Sequence, residues 1–298
     1  GRATRKPAPR SIATKDGSLW YTAQRSSILG KVDMKTGKIT EYKTKTPMSG
    51  PHGLADDADG NIWYTGNFKS HVGKLDVKTG QFTEYKMPDA KARDPHTPIF
   101  DNAGNLWFTL QGANMIGRLN PKTNEIKLVE SKTPRSLPYG TVFDTKNQLW
   151  IVLFGSNKLA KIDADMNITE YALPAADARP RRQAIDADDV IWYADFPRGY
   201  IGKFDTKTGK LVKEYMSPSG PRSEPYGITV INGIVWYNEG NAHPNGLVRF
   251  DPKTEQFQTF PIPSGGGVVR NMEPTPDGKG IVMAMSAQDK VGVAWIEE

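Results

Sequence analysis

Tryptophan recurs along this chain with a beat that few folds can accommodate. It stands at Trp20, Trp63, Trp107, Trp150, Trp192 and Trp236, with successive spacings of 43, 44, 43, 42 and 44 residues. The text around each copy is the same. From Pro51 to Tyr85 it runs Pro-His-Gly-Leu, an acidic Asp-Gly turn, Asn-Ile-Trp-Tyr-Thr, a polar gap, Val-Gly-Lys-Leu-Asp, a Lys-Thr-Gly turn and Phe-Thr-Glu-Tyr. Each apolar run is short, rich in β-branched and aromatic residues, and bounded by Gly, Asp, Asn or Pro, which is the pattern of short strands joined by tight turns. The third strand returns as Leu29-Gly30-Lys31, Val72-Gly73-Lys74, Ile116-Gly117-Arg118 and Ile201-Gly202-Lys203, and a worn seventh unit carries Ile281-Val282-Met283 in place of Ile-Trp-Tyr. A period in the low forties with four strands per unit is that of a propeller. The expected fold is therefore all-β: a seven-bladed β-propeller of four-stranded antiparallel blades, one domain over residues 1–298. Neither the Gly-His nor the Trp-Asp marker of the WD type is present. The chain ends after a third-strand motif at Trp295-Ile296, so residues 1–8 are expected to supply the outer strand of the last blade.

Composition narrows the function classes. With no cysteine, disulfides, thiolate nucleophiles and zinc–cysteine sites are excluded. No apolar run approaches the roughly 20 residues of a membrane-spanning helix. The net charge of +6 comes largely from the repeated Lys-Thr-Gly turns and third-strand lysines, spread around the rim rather than massed on one face. The expected partner is accordingly neither nucleic acid nor membrane but a small-molecule or glycan substrate, and the chain is expected to be a monomer. It starts with Gly followed by Arg2, Arg5 and Lys6, as a processed leader would leave it, so a secreted or periplasmic location is expected over a cytoplasmic one. There is no phosphate-cradling Gly loop, His-Glu-x-x-His helix or Gly-x-Ser-x-Gly elbow, and Gly265-Gly266-Gly267 reads as a loose approach to the last blade.

One position carries chemistry. In six units the innermost strand opens after a proline, 11 or 12 residues before the tryptophan, and the next residue is Arg10, His52, His96, Tyr139, Arg181 or Tyr226; in the seventh, which lacks both markers, Arg270 after Val269 takes the aligned place. A position repeated seven times for packing alone would be aliphatic or small. Here every occupant is basic, imidazole or phenolic, and side chains converging on a ring's axis make a binding pocket. His71 and His243, which precede third strands, are expected at the surface. Asp94 stands two residues before His96 and is placed to orient the imidazole or hold a divalent cation, with Glu224 its counterpart before Tyr226. Asp195 and Glu239 close second strands and read equally as solvent-facing or as turn caps.

The unit Pro-His-Gly-Leu … Asp-Gly-Asn-Ile-Trp-Tyr-Thr … Gly-Lys-Leu-Asp … Thr-Glu-Tyr resembles the repeat of the virginiamycin B lyase (streptogramin B lyase) family of seven-bladed propellers, over essentially the whole chain. The resemblance implies a site made of a histidine after the blade proline, Glu-Pro-His in the next blade and Pro-Tyr-Gly in the one after. His52, His96 and Tyr139 match these, rotated around the ring, with His96 in the place of the base. Asp94 stands where the family has a metal-binding Glu, so the resemblance implies Mg2+; a further family carboxylate, due just after the tryptophan of the His96 blade, is replaced by Leu110 and Gln111.

What the resemblance implies is β-elimination: a base removes the proton α to a carbonyl, and the carboxylate leaves from the β-carbon. Neutral His supplies a base of suitable pKa, and a cation or hydrogen-bond donor must hold the enolate. His96 is then the base, His52 and Tyr139 its binding or acid partners, and Arg10, Arg181, Tyr226 and Arg270 the groups that bind an anionic substrate. The arginines equally suit elimination on a uronic-acid glycan, and the same ring would serve a non-catalytic ligand-binding propeller. Few axis-facing carboxylates argue against a calcium-dependent lactone hydrolase.

Overall fold

The computed structural model describes residues 10–297 and is a seven-bladed β-propeller. Blade 2 shows the unit. Strands Pro51–Asp56, Ile62–Gly66, His71–Leu75 and Phe82–Lys86 pair in sequence order as an antiparallel meander, the first innermost. Six blades have four strands; among the described residues the seventh has three, Val269–Pro274, Gly280–Met285 and Lys290–Trp295. The expected closing strand, residues 1–8, lies outside the described residues. The ring still closes, since the inner strand of blade 1, Ser11–Ala13, abuts the inner strand of blade 7.

Each conserved element of the repeat has a physical job. The aspartate of the first turn, six residues before the tryptophan, takes the indole N–H: Trp63 to Asp57 at 2.8 Å, Trp107 to Asp101 at 2.8 Å, Trp150 to Asp144 at 2.9 Å and Trp192 to Asp186 at 3.1 Å. The same carboxylate accepts turn backbone N–H groups, as Asp57 does from Asn61 at 2.9 Å. A buried indole donor is thereby satisfied and the turn held in one step. On the tryptophan's outer side, the third-strand cation lies over the ring, with Lys74 Nζ 5.5 Å from the Trp63 centroid. Much of the positive charge noted in the sequence is therefore distributed blade by blade. The third-strand glycine is explained by its cross-strand neighbour: a Cβ on Gly73 would sit 2.1 Å from the Tyr64 ring. In blade 4, where the aromatic is replaced by Ile151, the position is Ala160.

The inner strands are not regular. In blades 2 to 7 the register slips just after the strand opens, for example between Pro51 and Leu54 and between Pro138 and Thr141. Such bulges re-aim side chains, and they recur where the chain passes the axis.

Candidate active site at one end of the channel

Threonine pins the post-proline residues. The Thr two places after the tryptophan donates to the carbonyl of the post-proline residue in the next blade: Thr22 to His52 at 3.0 Å, Thr65 to His96 at 2.9 Å and Thr109 to Tyr139 at 3.2 Å. Thr65 and Thr109 also accept the N–H of Gly53 and Thr97 in their own blades. One hydroxyl thus ties two inner strands together beside the axis. The sequence shows the Thr two places after the tryptophan in the first three units, but its partner is in another repeat, so pattern alone does not reveal it.

The clamped side chains meet. The His52 and His96 ring centroids are 3.9 Å apart, and His96 and Tyr139 are 4.3 Å apart. The Tyr139 hydroxyl is 2.5 Å from that of Tyr226 across the ring. Arg181 lies in an aromatic cage, its guanidinium carbon 4.1 Å from the Tyr226 centroid, 4.4 Å from Phe196 and 4.7 Å from Phe154. It makes no hydrogen bond or ion pair among the described residues, and its buried Nε is unpartnered. Arg270 donates to Ser286 at 2.9 Å. His52, His96, Tyr139 and Tyr226 are all buried, so they plug this end of the channel rather than line an open cup.

Three expectations about the neighbours need correction. Asp94 does not reach His96. Its backbone is left-handed, its carboxylate accepts from the Asn67 amide, and the hydrogen bond of His96 Nδ1 is with Thr97 Oγ1 at 2.9 Å. Arg10 is turned along the channel, where it pairs with Glu273 at 2.9 Å. His71 is buried rather than superficial, lying edge-on to Tyr64 and 3.5 Å from Glu84, because its ring fills the space over Gly66; His243 is exposed, as expected. Asp195 and Glu239 are fully buried: Asp195 holds Arg198 at 2.9 Å and Glu239 accepts from Ser219. Glu224 has a left-handed backbone and, through its carbonyl, accepts the Gly240 N–H.

The residue that the sequence reading passed over is Arg182. The inner strand slips between Pro180 and Arg182, and both arginines of the pair reach the axis. Arg182 donates from Nε to the Arg270 carbonyl at 3.1 Å and from Nη1 to Thr97 at 3.4 Å, and lies 4.7 Å from the Tyr139 ring centroid. The Arg-Arg doublet was its signal, but strict alternation assigns the second to the opposite face.

These cations set the titration of the cluster. Burial first, then Arg182, Arg270 and Arg10, push the His52 pKa down to about 3. Burial, His52 and Arg182 hold His96 well below the ordinary imidazole value. Both rings are neutral at physiological pH. Burial pushes Tyr139 up, but Arg182 and Arg181 outweigh it and its phenol falls below the usual value, while burial and Tyr139 raise Tyr226. An Mg2+ ion needs an octahedral shell of oxygens. Among the described residues no three His, Asp or Glu side chains converge, and the Asp94 carboxylate is engaged by Asn67. The residues present do not fit that ion.

A ring of seven blades whose axis is filled by imidazole, phenol and guanidinium defines a propeller with a cationic, aromatic channel. The virginiamycin B lyase family model matches residues 3–242, and the chain belongs to that family. A catalytically inactive histidine-to-alanine variant of virginiamycin B lyase from Staphylococcus aureus, with quinupristin, is similar with a TM-score of 0.89 at 24% identity, over 99% of this chain and 97% of that one. A streptogramin B lyase structure has a TM-score of 0.87 at 25% identity, over 98% and 94%. The structure of U3-55K matches at a TM-score of 0.78 with 9% identity, over 100% and 94%, which shows how far the fold alone extends. No curated protein matches this chain.

Proposed function

We propose that this chain is a carbon–oxygen lyase that acts by β-elimination on a small, anionic substrate. The observation that carries the reading is the contact between His52, His96 and Tyr139, from three consecutive blades, beside the unpaired guanidinium of Arg181. Thr97 Oγ1 accepts from Arg182 and lies 2.9 Å from His96 Nδ1, the roles in that second bond being set by the imidazole tautomer. In the tautomer in which Nδ1 donates to Thr97, the Nε2 lone pair of His96 is free to take the proton α to a carbonyl. The electron pair of the broken C–H bond forms the Cα=Cβ bond, and the carboxylate leaves from Cβ with the electrons of the C–O bond. Arg181 and Arg270 carry fixed positive charge to the developing enolate, and Tyr139, its acidity raised by the arginines, donates a hydrogen bond. An anionic substrate also answers the low basicity of the imidazoles, since it offsets the cations that depress them.

The test is incubation with a streptogramin B and, separately, with uronate glycans, following absorbance of a new conjugated double bond. From a cyclic ester the product is isomeric with its substrate, whereas hydrolysis adds one water. His96→Ala is expected to abolish turnover with the fold intact; full activity in that variant overturns the base assignment. The burial of both rings favours one second reading, a propeller that binds an anion without turning it over. Saturable binding with no product from any of these substrates would select it.

A further inference from the structure

Beyond the plug, the channel opens into a cavity of about 480 Å³, a volume within the range of small-ligand sites. Its lining does not include His52, His96, Tyr139 or Arg181. The inner strands run away from the plug, so the cavity belongs to the opposite face of the ring, the face that carries the first turn of each blade. Polar and apolar side chains share its wall. Each inner strand is also the end strand of its sheet, bonded on one side only, so it turns a row of backbone N–H and C=O groups to the axis. A wall of this kind offers hydrogen bonds along its length and suits a ligand that carries hydroxyls.

Arg182 is a buried cation without a counter-charge. It is 5% exposed and lines the cavity at the level nearest the plug. Its acceptors, the Arg270 carbonyl and the Thr97 hydroxyl, are both neutral, and its Nη2 has none. No carboxylate pairs with it among the described residues, and a buried charge is costly unless paired. The next residue, Gln183, gives both its amide hydrogens to backbone carbonyls, of Gly140 and Trp150, while its Oε1 is a buried acceptor with no donor. An unmet cation and an unmet acceptor thus stand side by side on one strand of the cavity wall. Two acids limit the charge that can enter. Glu273 pairs with Arg10 at 2.9 Å, and Asp56 stands exposed at the rim. A polyanion would bring more charge than Arg182 balances and would be repelled by both carboxylates.

We propose that this far half of the channel is a second ligand site that takes a small hydroxylated monocarboxylate, its carboxylate paired with Arg182 and its hydroxyls bonded to Gln183 and the strand edges. The site is separate from the His96 cluster and does not depend on the elimination reading. Binding is measured directly, so an inactive elimination assay leaves the site standing.

The experiment is calorimetric titration of the full chain, at low ionic strength in a carboxylate-free buffer, with gluconate, sorbitol, hexanoate and citrate. Gluconate is expected to bind saturably at one per chain. Sorbitol lacks the charge, hexanoate lacks the hydroxyls and citrate carries charge in excess, so each is expected to bind more weakly by about tenfold or more. Arg182→Met is expected to weaken gluconate by about tenfold. Glu273→Gln removes a repelling carboxylate and is expected to tighten gluconate by about threefold or more. Misfolding cannot produce such a gain, so this variant decides the matter if the arginine variant fails to fold. No saturable gluconate binding, any of the other three ligands binding as tightly as gluconate, or unchanged or weaker gluconate binding by folded Glu273→Gln would overturn the site.

Discussion

The two ends of the channel are built from the same seven strands, and yet one is filled and the other open. At one end the post-proline side chains meet in contact, His52 on His96 on Tyr139, and close the axis. At the other, a few residues along, polar and apolar side chains share the wall and a cavity remains. The difference follows from the bulges. Where the register slips, large polar side chains are swung inward; past the slip the regular pleat resumes, alternate side chains turn into the interfaces between blades, and the axis is left empty. A repeat can therefore keep its core while one position per blade, aimed by an irregularity, carries the chemistry.

Four perturbations test the filled end and the ring that carries it. The largest effect belongs to His96→Ala, which should lower turnover by about 100- to 10,000-fold, the range of a general base, while circular dichroism and melting report an intact propeller. Acid comes next. Imidazoles held neutral in the fold but free to charge when unfolded make the unfolded chain bind more protons below its ordinary histidine pKa of 6.5. Stability is therefore lost as pH falls from about 6.5 toward the folded value of about 3 for His52, with a slope of up to about 1.4 kcal/mol per pH unit for each such ring. Replacing His52 with Phe should flatten that decline in chemical denaturation across the window; an identical acid slope would show that the plug does not hold its rings neutral.

Gly73→Ala tests the scaffold shared by both ends. Its Cβ would fall on the Tyr64 ring, and overpacking of this kind costs about 1–3 kcal/mol, so a lower Tm is expected in thermal melting. The smallest effect is expected from Asp94→Asn and from a chelator. Neither should change turnover, because the Asp94 carboxylate is held by Asn67 and is remote from the His96 hydrogen bond; loss of activity with chelator would restore a metal to the mechanism.

The blade count, the strand order within a blade and the inward-facing position after each proline were legible in the sequence, because a propeller repeats one local solution and local solutions are written in composition and spacing. The Trp–Asp spacing, the Asp-Gly turns and the Gly opposite an aromatic ring are all contacts within a single repeat. What could not be read is every contact between repeats. Thr65 reaching the His96 carbonyl, Tyr139 touching Tyr226, Arg182 bonding the Arg270 backbone and Asp94 held by Asn67 join residues 27 to 88 positions apart. Nor does alternation foresee the slip at Pro180 that brings a second arginine to the axis. His71 shows the same limit, since a polar residue before a strand reads as exposed until its neighbour, Gly66, is seen to leave room for it.

The chain alone thus determined the wheel and the repeated position that aims side chains at its hub, since short-range turn chemistry and side-chain period need no partner to be expressed. Only the closed ring decided which of them touch, which cations remain unpaired and which end of the hub stays open. Those outcomes depend on distances across the axis, and ring closure sets them.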